Sequence, residues 1–167
     1  GVNHMGKIRQ FATLLALFIS WNVQATPSQP IITVEKSAQC GCCQAWIDYL
    51  RQQGWSVSSH DVSDTQLTQR KQQLGILPAQ QSCHTAKVGK YVLEGHVPST
   101  AIHKLLQQRP SIIGLSVPDM PTNAPGMGIH RAGTLSVETI RHDGRRGVRG
   151  GFSQSLQRFR ARSELSV

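Results

Sequence analysis

The chain has 167 residues, a hydrophobic fraction of 38% and ordinary numbers of proline and glycine, so its composition excludes disorder as the overall state. The formal net charge of +9 would fit a nucleic-acid partner. However, eight arginines against three acidic residues lie from Gly128 onward, so the basicity is largely confined to the C-terminal tail. We therefore expect no nucleic-acid partner, and the tail is better suited to an anionic lipid or polysaccharide surface.

Residues 1–25 have the pattern of a secretory signal peptide. Two basic residues precede an apolar run over residues 11–21, and a small-residue cleavage pattern ends at Ala25. The run is shorter than the about 20 apolar residues of a permanent membrane span, with an uncleaved anchor as the alternative. Residues 1–4 precede the first methionine and are either a cloning remnant or part of an upstream start. The pattern predicts export to the bacterial periplasm.

The segment that follows predicts a strand, a cysteine-rich turn and a helix. Residues 31–34 form an apolar run typical of a buried strand. After the turn, apolar residues recur at the i, i+3, i+4 and i+7 positions of a helix, and Gly54 is suited to its C-terminal end. These apolar positions are Cys43, Trp46, Ile47 and Leu50. The cysteines therefore lie at the N-terminus of a helix, and we expect Trp46 to belong to the core.

A second strand and helix come next. Polar and apolar residues alternate from Trp55, a further core candidate, and predict a strand that ends near Asp61. Ser63 and Gln66 form a capping-box pattern for a helix over residues 64–74. Because the apolar stripe of this helix is thin, we interpret its glutamines and lysines as a solvated face.

A hairpin and a closing helix complete the predicted fold. Gly89 and Lys90 separate two apolar segments within residues 86–93, which predicts a tight β-hairpin. Pro98 suits the first turn of a helix that ends at Arg109. The order β-α-β-α-β-β-α, with parallel crossovers followed by an antiparallel hairpin, predicts a thioredoxin-like α/β fold with a mixed central sheet.

Three of the four cysteines, Cys40, Cys42 and Cys43, lie where the first helix begins. Unpaired backbone N–H groups and the helix dipole favour thiolates there. Thiolates are soft metal ligands, and Cys83 can join them if the fold returns it to this helix N-terminus. Such crowding of sulfur suits Cu(I), which we expect as the bound ion.

Two other interpretations of the cysteines remain open. Cys40 and Cys43 have the C-x-x-C spacing of a thiol-disulfide oxidoreductase, and export places them where disulfides persist. Against this, Cys42 and Cys83 would capture mixed disulfides instead of releasing them. The third interpretation is a four-cysteine zinc site or purely structural disulfides, although structural zinc sites usually take ligands from well-separated pairs.

Histidine and methionine supply further candidate ligands. His96 lies in a loop that could face the cysteines. His84 follows Cys83, but if a strand has begun there, the two side chains point to opposite faces, so a core or supporting role is at least as well favoured. Met120 and Met127 lie in a Pro- and Gly-rich loop, where a thioether is either a Cu(I) donor or an ordinary filler of core space. The remaining histidines are interpreted as surface residues: His60, His103, His130 and His142.

Five ordered motifs resemble those of exported copper-resistance proteins of the CopG type, which are thioredoxin-like and distinct from the DNA-binding repressor of that name. They are Cys40-Gly41-Cys42-Cys43, Ser82-Cys83-His84-Thr85, Glu94-Gly95-His96-Val97-Pro98, Gly114-Leu115-Ser116-Val117-Pro118 with Met120-Pro121, and Pro125-Gly126-Met127. The resemblance covers about residues 31–127. It implies a periplasmic protein whose Cys40, Cys42, Cys43 and Cys83 hold Cu(I), and it leaves open a multinuclear cluster and copper redox chemistry.

Residues 128–167 form an extension outside this resemblance. Residues 134–140 and 145–152 are predicted to pair as a hairpin around a turn at residues 142–144, before the basic tail. We expect a copper-binding domain over residues 31–127 that acts in copper tolerance by sequestration, transfer or redox conversion. Expected partners are copper ions and copper-trafficking or efflux proteins of the cell envelope, and catalysis is not the leading expectation.

Overall fold

The computed structural model describes residues 29–131 and 133–145. The predicted signal peptide over residues 1–25 and the tail from residue 146 onward lie outside these ranges. Among the described helices, none combines the length and apolar character needed to cross a bilayer.

Six strands and three α-helices form the described part of the chain, and a short 3-10 helix over Pro78–Gln80 precedes β3. In chain order they are β1 (Ile32–Lys36), α1 (Gly41–Gln52), β2 (Val57–Asp61), α2 (Asp64–Gln73), β3 (Thr85–Val88), β4 (Tyr91–Gly95), α3 (Ser99–Gln108), β5 (Gly114–Val117) and β6 (Glu138–Ile140). The first seven elements follow the predicted order, and β5 and β6 extend it.

The strands form one mixed sheet in the order β2-β1-β3-β4-β5-β6. The β1–β2 and β4–β5 pairs are parallel, whereas β1–β3, β3–β4 and β5–β6 are antiparallel. Helix α1 connects the first parallel pair and α3 connects the second, as crossover connections require. The predicted thioredoxin-like fold with a mixed central sheet is thereby confirmed.

Helix α1 begins and ends where the sequence predicts. Cys40 is its N-cap, and its Sγ accepts a hydrogen bond from the backbone N–H of Cys43 at 3.3 Å. Gly54, just beyond its last turn, has a φ of +86°, a left-handed conformation that glycine adopts without steric cost. Its buried side chains are those of the apolar pattern: Cys43, Trp46, Ile47 and Leu50.

The main hydrophobic core joins residues of α1, α3 and the sheet, with Leu105 among its fully buried members. Both predicted core tryptophans are buried, and both indole N–H groups have partners. Trp46 Nε1 donates to the carbonyl oxygen of Val97 at 3.0 Å, and Trp55 Nε1 donates to Ser99 Oγ at 2.8 Å. These two bonds tie α1 and the segment before β2 to the start of α3 without leaving a buried donor unpaired.

Helix α2 differs from its prediction at one residue. Its glutamines are exposed, as expected of a solvated face, and the capping box of Ser63 and Gln66 is present. Lys71, however, is only 5% exposed and donates a hydrogen bond to the carboxylate of Glu94. Because Lys71 lies four residues after the buried Leu67, it belongs to the same face of the helix. The assignment of the lysine of α2 to the solvated face was therefore wrong.

The C-terminal extension contributes an edge strand to the sheet. Strand β6 pairs antiparallel with β5, and Gly114 lies opposite Ile140. Ile140 is buried in a small second cluster with Ile76 and Val92. The predicted strand over residues 134–140 is thus shorter than expected, and its partner among the described strands is β5. The other arm of the predicted hairpin lies outside the described residues apart from its first residue.

Candidate metal centre

The register of the sheet brings four separate segments of the chain to one end. Glu35 in β1 lies opposite Thr85 at the start of β3, and Thr85 lies opposite Glu94 in β4. Gly95 and Val117, the last residues of β4 and β5, are also paired. The segments just beyond these residues therefore meet. They carry the cysteine turn (residues 40–43), Cys83, His96 and the loop over residues 118–131.

Within the cysteine turn, one disulfide and one free thiol lie in contact. Cys40 and Cys43 are bonded to each other, whereas Cys42 is free with its Sγ 3.5 Å from the Sγ of Cys40. The side chains of Cys42 and Cys43 diverge, as expected for successive helical residues: Cys43 is fully buried and Cys42 is half-buried. Cys40 lies outside the helix and contacts both.

Cys83 lies across from the turn. Its Sγ is 3.9 Å from the Sγ of Cys42 and 3.1 Å from Nε2 of His96. The Nδ1 atom of His96 is 2.7 Å from the carbonyl oxygen of Pro125. Because a carbonyl can only accept, Nδ1 must carry the proton, so Nε2 of the neutral ring presents its lone pair to Cys83. This is the arrangement in which an outer hydrogen bond orients a metal-ligating imidazole.

His84 lies on the same side of the site as Cys83. Strand β3 begins only at Thr85, so the alternation that would separate the two side chains does not apply, and His84 Nδ1 is 3.3 Å from the Sγ of Cys83. The ring packs on Trp46 with centroids 4.4 Å apart and is fully buried. Its Nε2 atom has no hydrogen-bond partner among the described residues. Such an unpaired buried nitrogen is a candidate ligand atom.

Burial keeps Cys83 and the two imidazoles beside it in their neutral forms. Burial first, and then the neighbouring Cys42, raises the pKa of Cys83 to about 12. Burial also lowers the pKa of His84 well below its usual value, with smaller effects from the charges of His96 and Lys71 in the same direction. The pKa of His96 is lowered by burial as well. At neutral pH, Cys83 is therefore a thiol and both imidazoles are uncharged.

A buried ion pair that was not predicted from the sequence lies behind Cys83. The Glu94 carboxylate is fully buried and accepts hydrogen bonds from Lys71 Nζ, from Thr85 Oγ1 at 2.6 Å and from the backbone N–H of Ser82 at 2.6 Å. Burial raises the pKa of Glu94, and the positive charge of Lys71 opposes this effect. The spacing of Leu67 and Lys71 on α2 was the one sequence signal that a lysine faced the interior.

The two methionines have different surroundings. Met127 is half-buried and packs against the main core, which is the space-filling role, while Met120 is 42% exposed in a turn where its φ is +42°. Gly126, next to Met127, lies against the backbone of Trp46, so the loop packs directly on the first turns of α1. Among the histidines interpreted as surface residues, His60 and His142 are exposed. His103 and His130 are instead half-buried, and His103 stacks on Trp55 with centroids 4.6 Å apart.

Two overlapping sets of potential metal ligands result. One is Cys40, Cys42, Cys43 and Cys83, and the other is Cys83, His84 and His96. Within each set, the ligand atoms lie within 4.8 Å of one another. Cys83 belongs to both sets, so the group of four sulfurs and the group with two imidazoles meet at the Cys83 sulfur. Thiolate and imidazole donors together suit soft and borderline ions such as copper and zinc.

Comparisons with known proteins support the sequence resemblance. The family described as "Protein of unknown function, DUF411" matches residues 80–127. Two solved structures, "Copper resistance protein copG" in Form 2 and in Form 1, each share 33% sequence identity with this chain at a TM-score of 0.62. In both cases the match covers 71% of this chain and 94% of the other. No curated protein matches. At this identity and coverage, the chain belongs to the CopG family of copper resistance proteins.

Proposed function

We propose that this protein binds Cu(I) through the sulfurs of Cys40, Cys42, Cys43 and Cys83 and acts in copper tolerance. The observation that carries the proposal is that these four sulfur atoms lie within 4.8 Å of one another at the N-terminus of α1. Cu(I) prefers soft thiolate ligands, and the helix dipole favours the negative charge that several thiolates bring together. The two solved relatives are described as copper resistance proteins, which accords with this choice of ion.

The redox state of the turn decides how many sulfurs are available. The Cys40–Cys43 disulfide leaves Cys42 and Cys83 as the free thiols. Reduction by two electrons and two protons returns the other two thiols, and metal binding then displaces protons from the ligands. Copper loading is therefore expected to require a reductant in the compartment where the protein works.

The imidazoles fit the same ion as additional ligands. His96 is the better candidate, because the carbonyl of Pro125 holds its Nδ1 proton and directs the lone pair of Nε2 toward Cys83. His84 offers an unpaired Nε2 in a fully buried ring. Met120 and Met127 remain candidate thioether donors, Met120 from an exposed turn and Met127 from the margin of the core. With four sulfurs and two imidazoles so close, one ion or a multinuclear cluster can be held.

The proposal includes a place of action. The signal-peptide pattern ending at Ala25 supports export to the periplasm, where the domain over residues 31–127 would sequester, transfer or redox-convert copper. The extension over residues 128–167 contributes β6 and carries the basic tail, which suits an anionic envelope surface. Copper-trafficking or efflux proteins of the envelope are the proposed partners.

A thiol-disulfide oxidoreductase is the second candidate function. One observation favours it: Cys40 and Cys43 form a disulfide at a helix N-terminus. The free thiol of Cys42, 3.5 Å from the Cys40 sulfur, argues against efficient exchange. It can attack the substrate sulfur of a mixed disulfide, which displaces Cys40 as the thiol and keeps the substrate bound to the protein through Cys42.

The two functions are separated by one experiment. Reduced protein is titrated against a strong Cu(I) chelator, and its turnover of a disulfide substrate is measured in parallel. We expect Cu(I) uptake without turnover of the disulfide substrate. Cys83→Ser should weaken Cu(I) binding by about 100-fold or more, because removing a ligand costs at least as much affinity as removing a residue that only hydrogen-bonds to a ligand. His142→Ala is the control, since it removes an exposed imidazole outside both ligand sets. Disulfide turnover without Cu(I) uptake would overturn the copper proposal.

A further inference from the structure

The buried carboxylate of Glu94 joins three elements immediately behind Cys83. One oxygen, Oε1, accepts hydrogen bonds from Lys71 Nζ of α2 and from the backbone N–H of Ser82. The other, Oε2, accepts one from Thr85 Oγ1 at the start of β3. Lys71 Nζ also donates to Thr85 Oγ1 at 2.9 Å. Cys83 thus lies between two residues of the chain, Ser82 and Thr85, that are both bonded to the same carboxylate.

Ser82 is held from the other side by the backbone of β4. Gly95 follows Glu94 with a φ of +71°, and a Cβ atom there would lie 2.5 Å from Ser82 Oγ and 2.6 Å from the carbonyl oxygen of Val117. The backbone N–H of Gly95 also donates to the carbonyl oxygen of His84 at 3.0 Å. Only glycine permits this approach, so the segment that carries Cys83 packs against β4 with no space to shift toward it.

Stability alone does not account for a buried ion pair at this place. Removing Lys71 and Glu94 from water carries a desolvation penalty, and well-packed apolar side chains of similar size are often as stabilising or more so. What apolar side chains cannot supply is an acceptor for the backbone N–H of Ser82. That hydrogen bond lies one residue from a sulfur that must be within reach of both Cys42 and His96.

We propose that Glu94, held in place by Lys71, is a positioning residue for Cys83. Through the backbone N–H of Ser82, it fixes the Cys83 sulfur at contact distance from the sulfur of Cys42 and from Nε2 of His96. This role deepens the proposed function and rests on it only for the effect on copper binding. The position of the Cys83 sulfur beside the Cys42 sulfur can be measured without metal.

The test compares two neutral versions of the ion pair. Lys71→Met with Glu94→Gln removes both charges but keeps an acceptor oxygen for Ser82, whereas Lys71→Met with Glu94→Leu removes the acceptor. The matched control is Arg70→Met with Glu35→Gln, which removes a neighbouring ion pair of 3.0 Å between α2 and β1. The side chains of Arg70 and Glu35 bond to each other, and that of Arg70 also to Gln73, and among the described residues neither side chain bonds to residues 82–85. Thermal unfolding of all variants then separates loss of fold from loss of position.

The first measurement is made without copper. In a glutathione buffer, the Cys42 and Cys83 thiols react with one glutathione disulfide to give a Cys42–Cys83 disulfide and two glutathione thiols. Mass spectrometry of tryptic peptides quantifies the bridge, because Cys83 and the cysteine turn fall on different peptides, and fragmentation of the linked pair identifies which of the three cysteines of the turn is bonded to Cys83. We expect the effective molarity of this bridge to fall on the order of tenfold or more in the Leu variant, as for other misplaced reacting groups, and to stay near wild type in the Gln variant and the control.

The second measurement is the affinity for Cu(I). It should fall by roughly 10- to 100-fold in the Leu variant, and this loss should vanish when Cys83→Ser is already present, because the effect acts through that sulfur. A folded Leu variant with a wild-type effective molarity would overturn the positioning role. If the Leu variant does not fold, Glu94→Asp keeps the charge and shortens the reach to Ser82, and it must show the same loss. Failure of the wild type to bind Cu(I) would instead overturn the proposed function. The effective molarity of the Cys42–Cys83 disulfide would still decide whether Glu94 positions Cys83.

Discussion

The two halves of the candidate site are built in different ways. The cysteine turn is one continuous stretch whose conformation follows from a helix N-terminus, and Cys40 and Cys42 are half-buried. The opposite half, with Cys83, His84 and His96, comes from two segments that meet only because the sheet pairs β3 with β4. Both imidazoles of that half are fully buried.

The two halves differ in what their groups can do: the sulfurs of the turn can react with one another, whereas the groups of the other half are held in position. The turn holds a disulfide next to a free thiol, so its sulfurs can exchange electrons and protons while the helix keeps its place. The buried half presents a protonated thiol and two neutral rings whose orientations are set by Pro125, Trp46 and the Glu94 network. In this arrangement the cysteine turn can undergo redox change, and the half with Cys83, His84 and His96 holds candidate ligand atoms in set positions.

The largest expected effect concerns the turn. Cu(I) binding and disulfide formation should exclude one another, because both use the sulfurs of the turn. Free thiols are titrated in metal-free and Cu(I)-loaded samples exposed to the same oxidant, and loading of the oxidised protein is then attempted. We expect the loaded sample to keep its thiols and the fully oxidised sample to take up no copper. Equal thiol loss in both samples would assign the cysteines a structural role and leave the ligands among the histidines and methionines.

The next effect tests the buried half. His96→Phe keeps a planar ring but removes the Nε2 lone pair, so we expect Cu(I) affinity to fall by roughly 10- to 100-fold in a chelator competition. His103→Phe is the matched control, since that ring stacks on Trp55 and belongs to neither ligand set. An affinity equal to that of the control would exclude His96 as a ligand and leave the sulfur set alone.

A smaller effect is expected where the 118–131 loop packs on α1. At Gly126 the φ is +83°, and a Cβ atom would lie 2.6 Å from the backbone nitrogen of Trp46. Gly126→Ala should lower the free energy of unfolding by about 1–3 kcal/mol through strain and the clash, measured by urea unfolding. Gly133→Ala separates the two causes, because Gly133 has a φ of +82° but nothing within 4 Å of a new Cβ. Equal destabilisation by both changes would show that the loop does not press on α1.

The smallest effect is a dependence of stability on pH. The pKa of Cys83 is raised to about 12, whereas the pKa of the same thiol in the unfolded chain is about 8.5. As pH rises, the unfolded state therefore loses this proton first. The contribution of the buried thiol to stability is therefore complete at neutral pH and declines as pH rises from about 9 toward 12. Oxygen-free urea unfolding of wild type and Cys83→Ser should give a difference that changes over this range. A difference independent of pH would contradict the raised pKa of this half-buried thiol.

Much of the fold was predictable from local patterns. The apolar spacing of α1, the capping box of α2 and the Gly89-Lys90 hairpin each act over a few residues, and all three are present in the structure. Strand β5 was not predicted as a strand, because it spans only four residues between Gly114 and Pro118, and the short alternation within it is too brief to indicate a strand. The pairing of β6 with β5 joins residues far apart in the chain, which no local pattern encodes.

The sequence by itself determined the chemistry of the cysteine turn, since three thiols next to a helix N-terminus are visible in four consecutive positions. Only the tertiary structure decided which other groups face them. Strand pairing sets His96 beside Cys83, the late start of β3 turns His84 to the same side, and a lysine in a polar helix points inward to Glu94. Each outcome depends on burial and register summed over the whole sheet, and those are properties of the folded chain that no short stretch of sequence contains.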